Sequence, residues 1–251
     1  MSLTALGVLV LSFCTLGLGR QFVRVRFLAP MAKWILKVYG FNLKIPNMEK
    51  YFDRQVMYMF NHPSSLDIFM NAALGIPNAR YLLTTKIIPI LPLSFIAWLL
   101  GARFIHPQND KHKRLHDFIN ATKTLKKSSD SVFASPEGSH QVIKKIAPFN
   151  KGVFHMALEL KIPIVALFIY IPHDADPFID IKTYKASDIS IEVLAEIKTH
   201  DLSLQNLDGL VEKVKDLYLA KYEMAHNVAK NESKKSPNVS RDMAEIQIEI
   251  S

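Results

Sequence analysis

The sequence predicts an α/β domain with a mostly parallel central sheet flanked by helices. Short apolar runs rich in strand-forming residues alternate with stretches whose apolar residues recur at helical spacing. Residues 162–171 are apolar on both faces, as buried parallel strands are. At 251 residues, the chain is long enough for one sizeable domain, and a second independent core is not expected.

The apolar runs predict strands at residues 56–60, 80–84, 103–105, 131–134, 162–171 and 189–197. Helical spacing predicts helices at residues 111–127, 150–160 and 206–226. A further helix is expected after the first strand, with Pro63 at its first position. Residues 93–100 are apolar almost all round, so a helix there would be buried or would face lipid.

The N-terminal region predicts a membrane-associated helical segment. Residues 3–19 form an apolar stretch at the lower limit of the length that spans a bilayer. Positive charges follow this stretch, so we expect a retained anchor with the rest of the chain on the cytoplasmic side, which in a bacterium would mean the inner membrane. Residues 27–39 combine apolar side chains with Lys33 and Lys37, which suits a helix at the membrane surface with Trp34 at headgroup depth. An ordinary amphipathic core helix is the alternative.

The charge of the chain is uneven and excludes some classes of protein. The net charge of +8 comes largely from the N-terminal region, where no acidic residue precedes Glu49. The basic pattern at residues 111–127 suits a solvated helix face, or a surface for anionic lipid or an acidic donor carrier. Nucleic acid is not expected as a partner, because no recognition motif accompanies the charge. The single cysteine, Cys14, excludes an internal disulfide, and no spacing of Cys and His indicates a metal site.

These features divide the chain into three parts. We expect residues 1–40 to form a membrane anchor and interfacial helix, residues 41–230 the catalytic domain, and residues 231–251 a polar, flexible tail.

The sequence NHPSSLD at residues 61–67 carries the predicted chemistry. His62 is expected on a strand-to-helix turn, beyond the carboxyl end of a strand, where α/β proteins usually bind ligands. Asp67 could reach back to the imidazole, fix its tautomer and stabilise the imidazolium, which makes His62 a candidate general base. In the alternative interpretation, Ser64 and Asp67 form a capping box and Asp67 complements the helix dipole.

No residue has the setting of a covalent nucleophile. Ser64 and Ser65 lack the Gly-x-Ser-x-Gly pattern, and Cys14 lies in the predicted anchor. We therefore expect the hydroxyl of a substrate to attack an acyl carbon without a covalent enzyme intermediate, while His62 accepts the proton of that hydroxyl.

Four motif regions in a fixed order resemble the lysophospholipid acyltransferases of the 1-acylglycerol-3-phosphate O-acyltransferase, or PlsC-like, type. They are the His-x-x-x-x-Asp motif at residues 61–67, a second region at residues 86–105, Pro-Glu-Gly-Ser with its flanks at residues 135–152, and a fourth at residues 162–165. The resemblance covers residues 41–221. It implies transfer of a fatty acyl group from acyl-CoA or acyl carrier protein to the free hydroxyl of lysophosphatidate, on a membrane. No cofactor or metal is implied, because the thioester supplies the driving force.

The resemblance also implies roles for particular residues. His62 and Asp67 would be catalytic. The residues expected to bind substrate are Glu137, Gly138, Ser139, Arg103 and Lys151.

The chain departs from the family at two positions. Pro107 and His140 stand where the family usually has arginines, the first of which is taken to bind the phosphate of the acceptor. The nearby cations that could substitute are Arg103, Lys111, Lys113, Arg114, Lys144 and Lys145. A different lysolipid acceptor is therefore an alternative. A lipid hydrolase and a non-catalytic membrane-binding protein are alternatives from other classes.

Overall fold

The computed structural model describes residues 19–90, 94, 97, 101–138, 146–172, 175–176 and 182–235. Its strands are β1 (Asn42–Lys44), β2 (Met57–Phe60), β3 (Ala79–Thr84), β4 (Arg103–Ile105), β5 (Ser131–Ala134), β6 (Ile164–Tyr170) and β7 (Asp188–Ile197). Every predicted strand is present, with ends that differ by at most two residues. Strand β1 is additional, and its short sequence Asn-Leu-Lys has only one apolar residue to indicate a strand.

The strands form one seven-stranded sheet in the order β1-β7-β6-β2-β5-β3-β4. All neighbouring strands are parallel except β6 and β7, which are antiparallel. The predicted mostly parallel sheet is therefore confirmed.

Helices cover both faces of this sheet. They are α1, with consecutive α-helical, π-helical and α-helical segments at Arg20–Val23, Arg24–Leu28 and Ala29–Val38, then α2 (Asp67–Ala73), α3 (Lys111–Ser128), α4 (Lys151–Leu160) and α5 (Leu207–Lys235). Short 3₁₀ segments lie at Glu49–Tyr51, Thr85–Ile87 and Leu204–Asn206. Helix α5 continues beyond the predicted end at residue 226.

Helix α2 begins later than predicted. Its first residue is Asp67 rather than Pro63. The Ser64 hydroxyl accepts a hydrogen bond from the Leu66 N–H at 3.0 Å, which stabilises a turn before the helix.

Side chains alternate across the strands and form two cores. On one face of the sheet, Tyr58 and Phe133 pack with Leu36 of α1 and Met70 of α2. On the other face, the strands pack against helices α3, α4 and α5 through residues that include Met57, Met59, Leu125, Phe154 and Val214. Each fully buried Met, Leu or Phe side chain stabilises the fold by about 1.5–3 kcal/mol.

Helix α1 packs on the domain through one face only. Its buried residues are Val23, Arg24, Ala29, Ala32 and Leu36, and the Arg24 Nη1 donates to the Pro77 carbonyl at 2.8 Å. Its opposite side exposes the large apolar residues Phe22, Val25, Phe27, Met31, Trp34 and Val38.

The predicted anchor at residues 3–19 lies, except for Gly19, outside the described residues, as does most of residues 93–100. Within the described ranges, no helix combines the length and the apolar character needed to cross a bilayer.

Candidate active site

The site lies at the carboxyl ends of β2 and β5. In the parallel pairing of these strands, Met59 is opposite Ala134. His62 and Glu137 each follow these paired residues by three positions, so the two loops leave the sheet side by side. This arrangement brings together two motifs that are separated by 75 residues.

Asn61 fixes the start of the first loop. Its side-chain amide donates to the Ile169 carbonyl at 2.9 Å, and its side-chain oxygen accepts from the Ile169 N–H at 2.7 Å. This buried side chain thereby continues the β2–β6 pairing beyond the last residue of β2. The turn that carries His62 is thus held at the carboxyl end of β2.

The His62 ring contacts the Asp67 carboxylate through Nδ1. The His62 side chain is 27% exposed, whereas that of Asp67 is 4% exposed. The structure therefore brings the two residues together as the sequence predicts, and it does not contain the alternative capping box, since the Ser64 hydroxyl bonds the Leu66 N–H instead. The catalytic roles of the pair stay a prediction.

Opposing effects act on the protonation of His62. Burial alone lowers the pKa of His62, because it disfavours the charged ring. The hydrogen bond and the charge of Asp67, together with the charge of Glu137, outweigh burial and raise the pKa above its ordinary value. His62 is therefore a stronger base than an isolated imidazole.

Glu137 holds two loops of the site through its carboxylate. One oxygen accepts from the His62 backbone N–H at 2.9 Å, and the other accepts from the Ala147 N–H at 2.9 Å. Burial raises the pKa of Glu137, and these two hydrogen bonds oppose that effect. That Glu137 holds the acceptor stays a prediction, and the structure adds that each of its two oxygens accepts a backbone hydrogen bond.

Gly138 permits a close approach within the same loop. Its φ is +74°, and a Cβ atom there would lie 2.8 Å from the Asn150 Nδ2. That Nδ2 donates to the carbonyls of Pro136 and Glu137 at 3.0 and 3.1 Å, and the Gln108 Nε2 donates to the Asn150 Oδ1 at 2.5 Å. The absence of a side chain at Gly138 thus makes room for the Asn150 amide, and its contact with substrate stays a prediction.

A cavity of about 510 Å³ lies beside these loops. This volume is within the range of small-ligand sites, about 300–1,000 Å³. Its polar lining residues include Lys86, Gln108, Arg114, Glu137 and Asn150. Its apolar lining residues include Leu82, Ile105, Phe118 and Val153.

The other predicted binding residues have different positions. Arg103 lies on the edge strand β4 and does not line the cavity. Lys151 also lies outside the cavity lining, and its Nζ pairs with the Asp208 carboxylate at 2.6 Å on the surface. Neither position supports the predicted contact with substrate in this cavity. Ser139 lies outside the described residues.

Sequence reasoning missed the roles of Asn61 and Asn150. Asn61 immediately precedes the histidine of the first motif, and Asn150 immediately precedes helix α4. Such positions suggest caps or turns, but the sequence gives no sign that their amides join distant segments. Lys86 and Arg114 were within reach of sequence reasoning, because Lys86 begins the second motif region and Arg114 is one of the nearby cations.

Taken together, the parallel sheet, the His62–Asp67 contact beyond the carboxyl end of β2 and the cavity lined by Glu137 define an α/β protein with a candidate general-base site. A family model described as Acyltransferase matches residues 42–170, and the chain belongs to this acyltransferase family.

Curated relatives and a solved structure agree with this assignment. The chain is 26% identical over 219 residues to the 1-acyl-sn-glycerol-3-phosphate acyltransferase of Saccharomyces cerevisiae, a match that covers 84% of this chain and 69% of the relative. It is 25% identical over 189 residues to the protein of the same description from Cocos nucifera, with coverage of 75% and 59%.

The fold is similar to that of the crystal structure of the 1-acyl-sn-glycerophosphate (LPA) acyltransferase, PlsC, from Thermotoga maritima. The TM-score is 0.69, with 16% identity and 87% of each chain covered. At this identity, the likeness concerns the fold.

Proposed function

We propose that this protein is an enzyme that transfers a fatty acyl group from acyl-CoA or acyl carrier protein to the free hydroxyl of lysophosphatidate, forming phosphatidate. The observation that carries the proposal is the contact between His62 Nδ1 and the Asp67 carboxylate, next to Glu137, which accepts from the His62 backbone and lines the cavity. The choice of acceptor is supported by the printed names of the relatives, which are 1-acyl-sn-glycerol-3-phosphate acyltransferases.

In the proposed reaction, Asp67 keeps Nδ1 of His62 protonated, so that Nε2 is the nitrogen that accepts a proton. The acceptor hydroxyl transfers its proton to Nε2 as its oxygen forms a bond with the thioester carbonyl carbon. The carbon–sulfur bond then breaks, and the departing thiolate takes the proton from the imidazolium. The raised pKa of His62 favours the first of these proton transfers.

Attack by the acceptor itself is favoured over a covalent enzyme intermediate. One of the two hydroxyls in the motif, that of Ser64, is buried and accepts from the Leu66 N–H. Glu137 contributes by position, because its carboxylate holds the His62 backbone and thereby the orientation of the ring.

We further propose that the protein acts on a membrane, with its catalytic domain on the cytoplasmic side. The exposed apolar side of α1 supports this proposal, since Phe27, Trp34 and Val38 would contact acyl chains there. Lys33 and Lys37 lie on the same helix and would contact anionic headgroups.

The proposed activity is tested by acyl transfer with the purified, detergent-solubilised full chain. Labelled acyl-CoA and acyl carrier protein are offered with lysophosphatidate and with other lysolipids, for the wild type and for His62→Ala. The matched control is His200→Ala, which removes an exposed histidine that also contacts an aspartate, at 2.8 Å. We expect lysophosphatidate to be acylated, and His62→Ala to lower kcat by about 10²-fold or more while the control retains activity.

Other results would change the conclusion in defined ways. Transfer only to a different lysolipid would replace the acceptor, and release of free fatty acid without transfer would indicate a hydrolase. Full activity of His62→Ala would rule out the general base, and transfer to no acceptor would refute the proposed function.

A further inference from the structure

Two cations, Lys86 and Arg114, line the cavity. Neither stands at a position where the family usually has the arginines that this chain lacks. Lys86 lies in the 3₁₀ segment Thr85–Ile87, and Arg114 lies in the first turn of α3. The carboxylate among the described lining residues is that of Glu137, and both of its oxygens accept backbone hydrogen bonds. This part of the cavity is therefore suited to an anion.

The guanidinium of Arg114 is held in place without being neutralised. Its Nη1 donates to the His106 carbonyl at 2.9 Å, and its Cζ lies 5.1 Å from the centre of the Phe118 ring. Among the described residues, Arg114 forms no ion pair. A guanidinium has five N–H donors, so a group fixed by one hydrogen bond and one ring keeps donors for a ligand.

The nearby carboxylate of Asp117, whose charge acts on Arg114, forms its hydrogen bonds with His106. Asp117 Oδ2 accepts from the His106 backbone N–H at 2.8 Å and contacts the His106 Nδ1 at 2.6 Å. This carboxylate oxygen is thus engaged by His106, while the carbonyl of the same histidine holds Arg114. Pro107 therefore stands where the family usually has an arginine, while the carbonyl of the preceding residue, His106, orients another arginine, Arg114.

We propose that Arg114, assisted by Lys86, binds the phosphate of the lipid acceptor and so determines the preference for a phosphorylated acceptor. This inference rests on the proposed function, since it concerns the acceptor of that reaction. A phosphate monoester offers two oxygens to one guanidinium, and Lys86, which lines the same cavity, would add a point charge.

The test combines kinetics with direct binding on the purified full chain. The variants are Arg114→Gln, Arg114→Lys and the control Lys123→Gln, which removes a positive charge from an exposed position on the same helix. The KM values for lysophosphatidate and for acyl-CoA are measured separately. Binding of glycerol 3-phosphate is measured by calorimetry, without any acyl donor.

We expect Arg114→Gln to raise the KM for lysophosphatidate and the Kd for glycerol 3-phosphate by about 10- to 100-fold, the loss of one charged hydrogen-bonding group. The KM for acyl-CoA is expected to stay within about twofold, and Arg114→Lys to recover part of the affinity. Lys123→Gln is expected to behave like the wild type.

Several outcomes would overturn this assignment. One is unchanged affinity for glycerol 3-phosphate in Arg114→Gln, and another is a rise in the KM for acyl-CoA alone, which would assign Arg114 to the donor. An equal loss for both substrates, with a lower melting temperature, would indicate a structural role. The binding measurement also separates this assignment from the proposed function. If the wild type binds glycerol 3-phosphate through Arg114 but transfers no acyl group, the phosphate site is supported and the proposed acyl transfer is refuted. Absence of binding by the wild type would refute the site.

Discussion

The carboxylate of Glu137 accepts a hydrogen bond from the backbone N–H of His62 at 2.9 Å. Two carboxylates thus bind His62, each at a different part of the residue. Asp67 contacts the ring, whereas Glu137 contacts the backbone and contributes its charge from there. The electrostatic state of the imidazole therefore depends on two loops that leave neighbouring strands.

The first prediction concerns how kcat/KM rises with pH on the acid side of the pH–rate profile. The proposed reaction needs the neutral imidazole, and the pKa of His62 is raised above its ordinary value of about 6.5. We therefore expect kcat/KM to rise with pH through a midpoint above that value. In Asp67→Asn, the main contribution that raises the pKa is lost and burial dominates, so the midpoint should move to lower pH, with kcat reduced by about 10²-fold or more.

This prediction is checked by pH–rate profiles of the wild type and Asp67→Asn, with Asp208→Asn as a control for loss of an exposed carboxylate. A midpoint that stays in place in Asp67→Asn would show that Asp67 does not control the protonation of the catalytic base.

Replacement of Glu137 tests its positioning role. In Glu137→Gln, an amide replaces one carboxylate oxygen, so either the His62 or the Ala147 N–H loses its acceptor. A buried donor without a partner costs about 1–3 kcal/mol, and we expect the free energy of unfolding to fall by that amount, with a lower kcat. Urea denaturation and acyl transfer are the measurements.

Glu196→Gln is the matched control, because it removes the charge of a glutamate that binds Arg54 in a more exposed ion pair. We expect a change of at most about 1 kcal/mol there. Equal effects of the two substitutions would contradict the special position of Glu137.

Glycine is required at residue 138 for two independent reasons. Its φ of +74° disfavours any side chain, and a Cβ would lie 2.8 Å from the Asn150 amide. Gly138→Ala should therefore lower the free energy of unfolding by about 1–3 kcal/mol and displace the loop that carries Glu137. Gly209→Ala is the control: this residue lies in α5 with open space around its Cβ position, and alanine there should stabilise the helix by up to about 1 kcal/mol. A neutral result at residue 138 would contradict the geometry of the loop.

Membrane binding should depend on the outer side of α1. Trp34→Ser combined with Val38→Ser removes two apolar side chains that are exposed to 64% and 63%. We expect binding to vesicles that contain anionic lipid to weaken by about tenfold or more, because less apolar surface is buried in the interface. Co-sedimentation with vesicles measures the change.

The control is Leu204→Ser combined with Met224→Ser, which removes apolar residues of similar exposure from other segments of the surface. Equal loss of binding in both double variants would mean that α1 provides no specific membrane contact.

The strands and the contact between His62 and Asp67 could be predicted because their signals are local. An apolar run of strand-forming residues marks a buried strand, and the five-residue spacing of His62 and Asp67 lies within a single turn. The antiparallel direction of β7 could not be predicted, since an apolar run has the same pattern in either direction. The function of Glu137 also depends on partners from other loops, which no local pattern reveals.

Lysine and arginine positions were the least predictable part of the site. Arg103 and Arg114 are both close in sequence to the second motif, yet only Arg114 lines the cavity. Which side chain enters a cavity depends on the rotation of its helix or the register of its strand against the whole sheet. Lys151 shows the same limit, because its position at the start of α4 directs it to Asp208.

Strand β1 pairs with β7, which the ribosome synthesises much later. Its Asn42 donates to the Asp188 carboxylate of β7 at 3.1 Å, across 146 residues of chain. At ribosomal speeds of about 5–20 residues per second, β1 emerges roughly 7–30 s before that partner exists. During this interval, helix α1 has already been synthesised with its exposed apolar residues, while the sheet still lacks β7. The apolar side of α1 is therefore present on the nascent chain before the sheet can be completed.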